Sequence, residues 1–414
     1  MWKEVFCNQK GVIVLQNLII RNLVYFVIFF VVLQLFSKFW NFMYNHTLVK
    51  RNKKPESVRI GVIIAACNEE KNISATIEQI KVAGIAAEDI YPLLNGCTDR
   101  TAEEVEKSGV IPRMIPFRGK GKSIEWWKIF WKTRQSYRKY THFALGDADT
   151  LFDLKFFEVC TKRLQTDPTI KIICGCPKSL KGNWVQSHRA VQYNWGNTID
   201  KPGQAIIGAI FVVPGCANVY SKDAFEILDW DTPDPTPTED IDVTIQANLR
   251  GFKTVFEPNA IVYTQDPPTL KSYVKQLYAR WYRGVWMNMR KHKLLTQGDS
   301  ALQWSCRWMV FEQFITLSSI GYYIIYLLGF RGYISKMFFM NWFFWIMLKN
   351  VFFPFWTVLT ERRFDLMKYI FHYIFLWFVD FTLFFAAMPY FLKKTTTNEW
   401  VSPPREKFGT DVTK

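Results

Sequence analysis

Apolar residues in this chain are gathered into long blocks near its two ends. A run from Leu23 to Tyr44 carries one cation, Lys38, and has about the ~20 residues needed to cross a hydrocarbon core. After Cys306 three more blocks follow, Met309 to Phe330, Met337 to Leu359 and Met367 to Leu392, each long enough to span. A chain built this way is constrained to hold a water-soluble middle between membrane segments. No small-residue cleavage site follows the first run, so it reads as a retained anchor. The basic stretch Lys50 to Lys54 (KRNKK) then sets the middle on the cytosolic side, with the plasma membrane as the expected location. The expected division is an anchor over 1–49, a cytosolic domain over 50–305, a transmembrane region over 306–392 and a tail over 393–414. The block carrying Lys349, Asn350 and Pro354 suits an interfacial or re-entrant course.

Between the apolar ends, short β-rich runs alternate with helical spacing. Arg59 to Ala66, Ile90 to Leu94, Val110 to Ile115, His142 to Gly146, Ile170 to Cys174 and Ile207 to Val213 read as strands. Lys71 to Val82, Thr98 to Lys107, Lys122 to Tyr137 and Asp153 to Leu164 read as helices. Such alternation predicts an α/β domain with a doubly wound, mostly parallel sheet, whose ligands bind just beyond the carboxyl ends of the strands. The eight cysteines are scattered, without a CxxC pair, which argues against a zinc site or a disulfide framework. A net charge of +16 is accounted for by membrane flanks and phosphate handling, so no nucleic-acid partner is expected.

Several strand ends carry chemistry. The first strand runs into CNEE (Cys67 to Glu70) and the second into NGCTD (Asn95 to Asp99), which together form a plausible nucleotide cradle; taken singly, Asn68 and Thr98 are ordinary helix caps. RGKGKS (Arg118 to Ser123) puts two Gly and two Lys at a helix start, where backbone N–H groups and cations can hold a diphosphate. The strand HFALG ends in Asp147-Ala148-Asp149, and if the backbone stays extended both carboxylates face one side, as a hard divalent cation requires. Further on, Thr238 reads as the cap of a helix whose first turn holds Glu239, Asp240 and Asp242. Their mutual repulsion is expected to raise one pKa. Leu270 to Trp286 reads as an aromatic, cationic helix with Gln276 and Arg280 on one face.

Read together and in order, CNEE, NGCTD, GKGKS, DAD, TED and the Arg280-Trp281 pair resemble the membrane-embedded family 2 glycosyltransferases. The resemblance is to the polysaccharide synthase branch, which includes poly-N-acetylglucosamine, hyaluronan, cellulose and capsule synthases. It implies a GT-A (Rossmann-like) cytosolic domain flanked by transmembrane helices, which transfers sugar with inversion from a nucleoside diphosphate sugar, usually UDP-linked. By this likeness Asn68 and Glu69 belong to the first nucleotide-binding turn and Asn95 stands where many members have an Asp facing the base. Lys120 lies near the diphosphate, Asp147 toward the sugar-nucleotide, and Asp149 binds Mg²⁺ or Mn²⁺. Asp240 is similar to the general base that deprotonates the acceptor hydroxyl, with Glu239 beside it among the substrate-binding residues. The family writes its helix motif QxxRW, whereas here Gln276 comes one residue early relative to Arg280 and Trp281. A modest helix rotation would let it serve. Trp281, with Trp286, would offer a face for the acceptor sugar, and Trp400 resembles a tail Trp of some synthases.

The resemblance leaves two enzyme readings: a synthase extending a polysaccharide, and a non-processive transferase acting on a lipid such as a polyprenyl phosphate or a ceramide-like acceptor. A third reading is a membrane scaffold without activity. A polymer channel needs several helices or a dimer, so a homo-oligomer is compatible with the few spans.

Overall fold

The computed structural model describes residues 57–116, 119–327, 350–393 and 407–408. The run Leu23 to Tyr44, the KRNKK stretch, Arg118, Lys349 and Trp400 lie outside these residues.

An eight-stranded sheet orders the domain as β3-β2-β1-β4-β7-β6-β8-β5. Its strands are β1 (Ile60–Ala66), β2 (Ile90–Asn95), β3 (Arg113–Ile115), β4 (His142–Asp147), β5 (Thr150–Phe152), β6 (Ile172–Ser179), β7 (Asn218–Ser221) and β8 (Thr254–Thr264). β1 pairs in parallel with both β2 and β4. Beyond β4 the expectation of a mostly parallel sheet fails, because β7 runs antiparallel to both β4 and β6 and the sheet is mixed. β1 is therefore the switch strand, with β2 and β3 on one side and β4 on the other. The crevice beyond its carboxyl end is where an open α/β sheet holds ligands.

The helices that matter for the site are α1 (Ile73–Val82), α2 (Thr101–Lys107), α3 (Lys120–Lys132), α4 (Phe156–Thr166), α5 (Trp184–Trp195), α6 (Glu239–Leu249), α7 (Leu270–Gln276), α8 (Arg283–Lys291), α9 (Ala301–Leu327) and α10 (Ile370–Ala386). They cover both sheet faces. Val62, Ile64 and Ala66 of β1 join Ile73, Ile77 and Ile80 of α1 and Phe156 of α4. The intervening Ile63 points the other way, into a cluster with Trp127 of α3 and Phe143 of β4. Burial on both faces explains why β1 reads as a continuous apolar run. Each such side chain contributes roughly 1.5–3 kcal/mol by leaving water.

One expected strand is absent. Ile207 to Val213 forms no ladder; the Phe211 N–H donates to Gln204 Oε1 at 3.1 Å and the Val213 N–H to Thr244 Oγ1 at 2.9 Å. Side chains satisfy Phe211 and Val213 where a neighbouring strand would have done so, and the N–H groups of 207–209 turn back to preceding carbonyls. The helix expected from Lys122 starts at Lys120 and stops at Lys132.

At the carboxyl-terminal end α9 runs for 27 residues, a helix occupies 350–361, and a tighter helical turn over Phe364–Tyr369 leads into α10. Among the described residues one helical stretch, Phe364–Phe391, is long and apolar enough to cross a membrane.

Candidate active site

The turns after β1 and β2 are tied to each other. Asn68 adopts φ 59°, a left-handed conformation that Asn tolerates better than most residues. Its Oδ1 accepts from the Thr98 N–H at 2.8 Å and its Nδ2 donates to Thr98 Oγ1 at 3.2 Å. Neither residue caps a helix, since α1 and α2 begin later, at Ile73 and Thr101. Glu69 is buried, and its N–H donates to Thr101 Oγ1 at 2.8 Å. Asn95, the last residue of β2, is fully buried under the first turn of α3. Its Oδ1 accepts from Ser123 Oγ, while its Nδ2 meets no hydrogen-bond partner.

Lys120 opens α3, and its place there depends on its neighbours. A Cβ on Gly121 would stand 2.2 Å from the Trp230 carbonyl oxygen, so glycine is what lets this turn press against the 230 segment. Lys120 is 6% exposed; its Nζ donates to Asp147 Oδ1 at 2.5 Å and to the Gly215 carbonyl at 3.0 Å. A Cβ built on Gly215 would stand 2.9 Å from Lys120 Nζ and 3.8 Å from Asp240 Oδ2. Burial alone would lower the Lys120 pKa, but Asp147, Glu239 and Asp240 outweigh it and hold the ammonium above its ordinary value.

The backbone does not stay extended through DAD. Asp147 ends β4, whereas Ala148 and Asp149 form a turn into β5, held by Thr76 Oγ1 donating to the Ala148 carbonyl at 2.8 Å. Asp149 is 2% exposed. Asp147 and Asp149 both act on Cys216, whose thiol is pushed up by burial and then by their charges. Among the described residues no group of three His, Cys, Asp or Glu side chains forms a cation cage.

The TED segment is fastened from α8. Thr238 makes no cap bond to α6; its Oγ1 instead accepts from Asn288 Nδ2 at 3.0 Å, and Thr236 Oγ1 accepts from the same nitrogen at 3.1 Å. Gly284 lets α8 come this close, since a Cβ there would lie 2.1 Å from Thr238 Oγ1. Asp242 is buried and accepts from Lys291 at 2.5 Å and His292 Nε2 at 2.7 Å. Burial alone would raise Asp242, but these two partners hold it below the usual carboxylate range. The raised acid is Glu239: burial lifts it, Asp240 adds to the effect, and Arg280 and Lys120 pull it back. Lys120, Asp147, Glu239, Asp240 and Arg280 thus share one electrostatic neighbourhood.

The early Gln276 is resolved by a change of helix type. Leu277–Tyr282 is a π-helical turn between α7 and α8. Its i→i+5 bonds take up one surplus residue without turning the flanking helices out of phase. Gln276 is buried, and its Oε1 meets no hydrogen-bond partner. Trp281 has the Arg189 guanidinium over its ring at 4.1 Å. Trp286 is not a sugar platform: it is 2% exposed, and its indole N–H donates to the Phe384 carbonyl at 2.8 Å. Beside Trp281 lies a cavity of about 370 Å³, with Trp195, Phe353 and Trp377 among its aromatic walls and His188, Arg189 and Asp380 among its polar ones.

The family described as glycosyltransferase-like family 2 matches residues 55–284, more than half of the chain. The chain belongs to glycosyltransferase family 2. A poly-β-1,6-N-acetyl-D-glucosamine synthase of Staphylococcus aureus is 24% identical over 294 residues, covering 67% of each chain. The Staphylococcus epidermidis enzyme of the same name is 22% identical over 300 residues, covering 69% of this chain and 68% of its own. A mannosyltransferase from Pyrobaculum calidifontis, solved with GDP-mannose and Mn²⁺, aligns with a TM-score of 0.42 at 14% identity, over 65% of this chain and 75% of its own. As a family 2 glycosyltransferase domain, the sheet and its covering helices form a mixed α/β, Rossmann-like GT-A fold.

For this family 2 domain, reading the sequence missed Asn288, Arg189 and His188, which sit among ordinary helical residues without a signal. Asp380 did carry one. It is the one Asp, Glu, Lys or Arg between Tyr369 and Leu392, and a lone acid in so apolar a stretch is a visible signal.

Proposed function

We propose that the protein is a membrane-bound inverting glycosyltransferase that moves a sugar from a nucleoside diphosphate sugar, UDP-linked, onto a growing polysaccharide. The observation that carries this reading is the position of Lys120, bonded to Asp147 and, like Asp240, within 4 Å of where a Cβ on Gly215 would stand. A fixed cation for the leaving diphosphate and a carboxylate for the incoming hydroxyl then belong to one site. Asp240 takes the acceptor proton, the acceptor oxygen bonds to the anomeric carbon, and the bond to the diphosphate breaks, so one displacement inverts that carbon. The transition state is oxocarbenium-like, as in glycoside hydrolysis. Lys120 and Arg280 stabilise the charge gathering on the departing diphosphate.

Asp149 would hold Mg²⁺ or Mn²⁺, with Asp147 directed to the sugar-nucleotide. The fit is reasonable for such an ion, which takes one or two protein carboxylates and completes its shell with water and substrate phosphate. When bound, it supplies Lewis-acid neutralisation of the diphosphate.

The acceptor saccharide sits in the cavity beside Trp281. Its aromatic faces and polar side chains suit a sugar chain better than a lipid tail. The names of the staphylococcal relatives make UDP-N-acetylglucosamine the first donor to try. A membrane setting is supported by the Phe364–Phe391 stretch and by Trp304, Trp308, Phe311 and Phe371, which are all more than half exposed.

Membranes carrying the protein, incubated with a panel of radiolabelled UDP-sugars and Mg²⁺ or Mn²⁺, test the reading by product size. A high-mass polymer, absent with Asp240→Asn, is the expected result. A single-sugar lipid would replace the polysaccharide acceptor, and no product with any donor would refute the enzyme.

A further inference from the structure

We propose that Asp380 is a positioning residue for the acceptor, ordering His188 and Arg189 as the polar side chains that meet the saccharide beside Trp281. The inference rests on the reading of this cavity as the acceptor site.

Asp380 lies in α10, 6% exposed, amid an otherwise apolar helix. A carboxylate there is costly unless its oxygens are well supplied with donors. Three arrive from the family 2 domain. Tyr273 of α7 donates its hydroxyl to Oδ1 at 2.6 Å; on α5, His188 Nε2 lies 2.9 Å from Oδ2, and Gln192 Nε2 donates to the same oxygen. Gln192 in turn accepts from Arg189 Nη1 at 2.6 Å. Asp266 Oδ1 lies 3.6 Å from Arg189 Nε, and the guanidinium covers Trp281 at 4.1 Å and Tyr273 at 4.9 Å. A chain of contacts thus runs from the apolar helix to the ring of Trp281.

The chain also sets which hydrogen bonds the cavity offers. With Nε2 2.9 Å from Asp380 Oδ2, the other ring nitrogen of His188, Nδ1, meets no protein partner. Arg189 Nη2 likewise meets none. Both residues line the cavity and are at most 5% exposed, so two polar atoms stand buried beside it without a protein partner. Leaving them unmet is expensive. A sugar hydroxyl, which donates and accepts at once, answers both.

The test is steady-state transfer by the full chain in detergent or nanodiscs, with UDP-N-acetylglucosamine as donor and a β-1,6-linked N-acetylglucosamine oligomer as acceptor probe. Asp380→Asn turns one acceptor oxygen into an amide, so the acceptor half-saturation constant should rise about tenfold while that of the donor stays put. His188→Gln, which keeps an N–H for Asp380 but loses Nδ1, should raise the acceptor constant alone by a smaller factor. It decides the matter where Asp380→Asn fails to fold. Donor and acceptor constants moving together, or neither moving, would overturn the positioning role while leaving the transferase intact. A wild-type chain that transfers nothing from any donor overturns both.

Discussion

Lys120 Nζ stands 2.5 Å from Asp147 Oδ1, and the space a Cβ on Gly215 would fill lies within 4 Å of both Lys120 Nζ and Asp240 Oδ2. A cation held so tightly acts as a preorganised charge, which is where electrostatic catalysis gains most. Lys120→Gln should therefore lower kcat for transfer by about 10²–10³, the range for loss of one such donor. Lys120→Arg should not restore it, because the planar guanidinium has no room against Gly215. Steady-state rates with a fixed UDP-sugar measure both, and a Lys120→Gln enzyme within threefold of wild type would contradict the assignment.

Asp242 makes the site sensitive to acid through stability. Its folded pKa lies below the unfolded value of about 3.9, so the clamp on Lys291 and His292 is fully present above that value. It is lost as pH falls through the folded pKa, where the native carboxylate takes up its proton. Asp242→Asn should cost about 3 kcal/mol near neutral pH, as for one partner removed from a buried pair. In thermal unfolding the gap from wild type should close in strong acid, and a gap unchanged with pH would reject this origin.

Gly284 and Thr238 are a steric pair. Gly284→Ala would place a methyl 2.1 Å from Thr238 Oγ1, forcing α8 away from the loop that delivers Glu239 and Asp240. Overpacking of this sort costs about 1–3 kcal/mol. The expected outcome is a lower melting temperature together with a fall in kcat, read by calorimetry and transfer assays on the same preparation. Full activity at wild-type stability would mean the contact is slack.

Chelation tests the carboxylate turn. EDTA should abolish transfer, and added Mg²⁺ or Mn²⁺ should restore it in wild type but not in Asp149→Ala. Isothermal titration of UDP with and without Mn²⁺ gives an independent readout, in which the metal-dependent gain in affinity should vanish in the variant. Metal-independent transfer would remove Asp149 from its assigned place.

The parts of this site that were legible in the sequence are those that sit at strand ends. Asp147 closes β4, and the CNEE and NGCTD turns follow β1 and β2, where apolar runs give way to polar residues. Illegible were features created by packing. β7 is only Asn218–Ser221, too short to show a period, yet it sets the antiparallel half of the sheet. Ile207 to Val213 has the composition of a strand, but the N–H groups of 207–209 close a helical end and those of Phe211 and Val213 pair with side chains. Trp286, expected beside Trp281 as a face for the acceptor sugar, is buried against Phe384 and so has no such face to offer. Asn288 reaches Thr236 and Thr238, and Arg189 reaches Tyr273 and Trp281, all far away in sequence, which no local pattern records.

The π-helical turn over Leu277–Tyr282 makes the stretch that bears Arg280 and Trp281 a length reservoir. Its neighbours are each anchored independently, α7 through Tyr273 and α8 through Asn288, so one amino acid can be gained or lost between the anchors without dislodging either. Spacing among the working side chains is thereby released from the otherwise rigid bookkeeping of a helix, and evolution can retune what faces the sugar by insertion or deletion as well as by substitution.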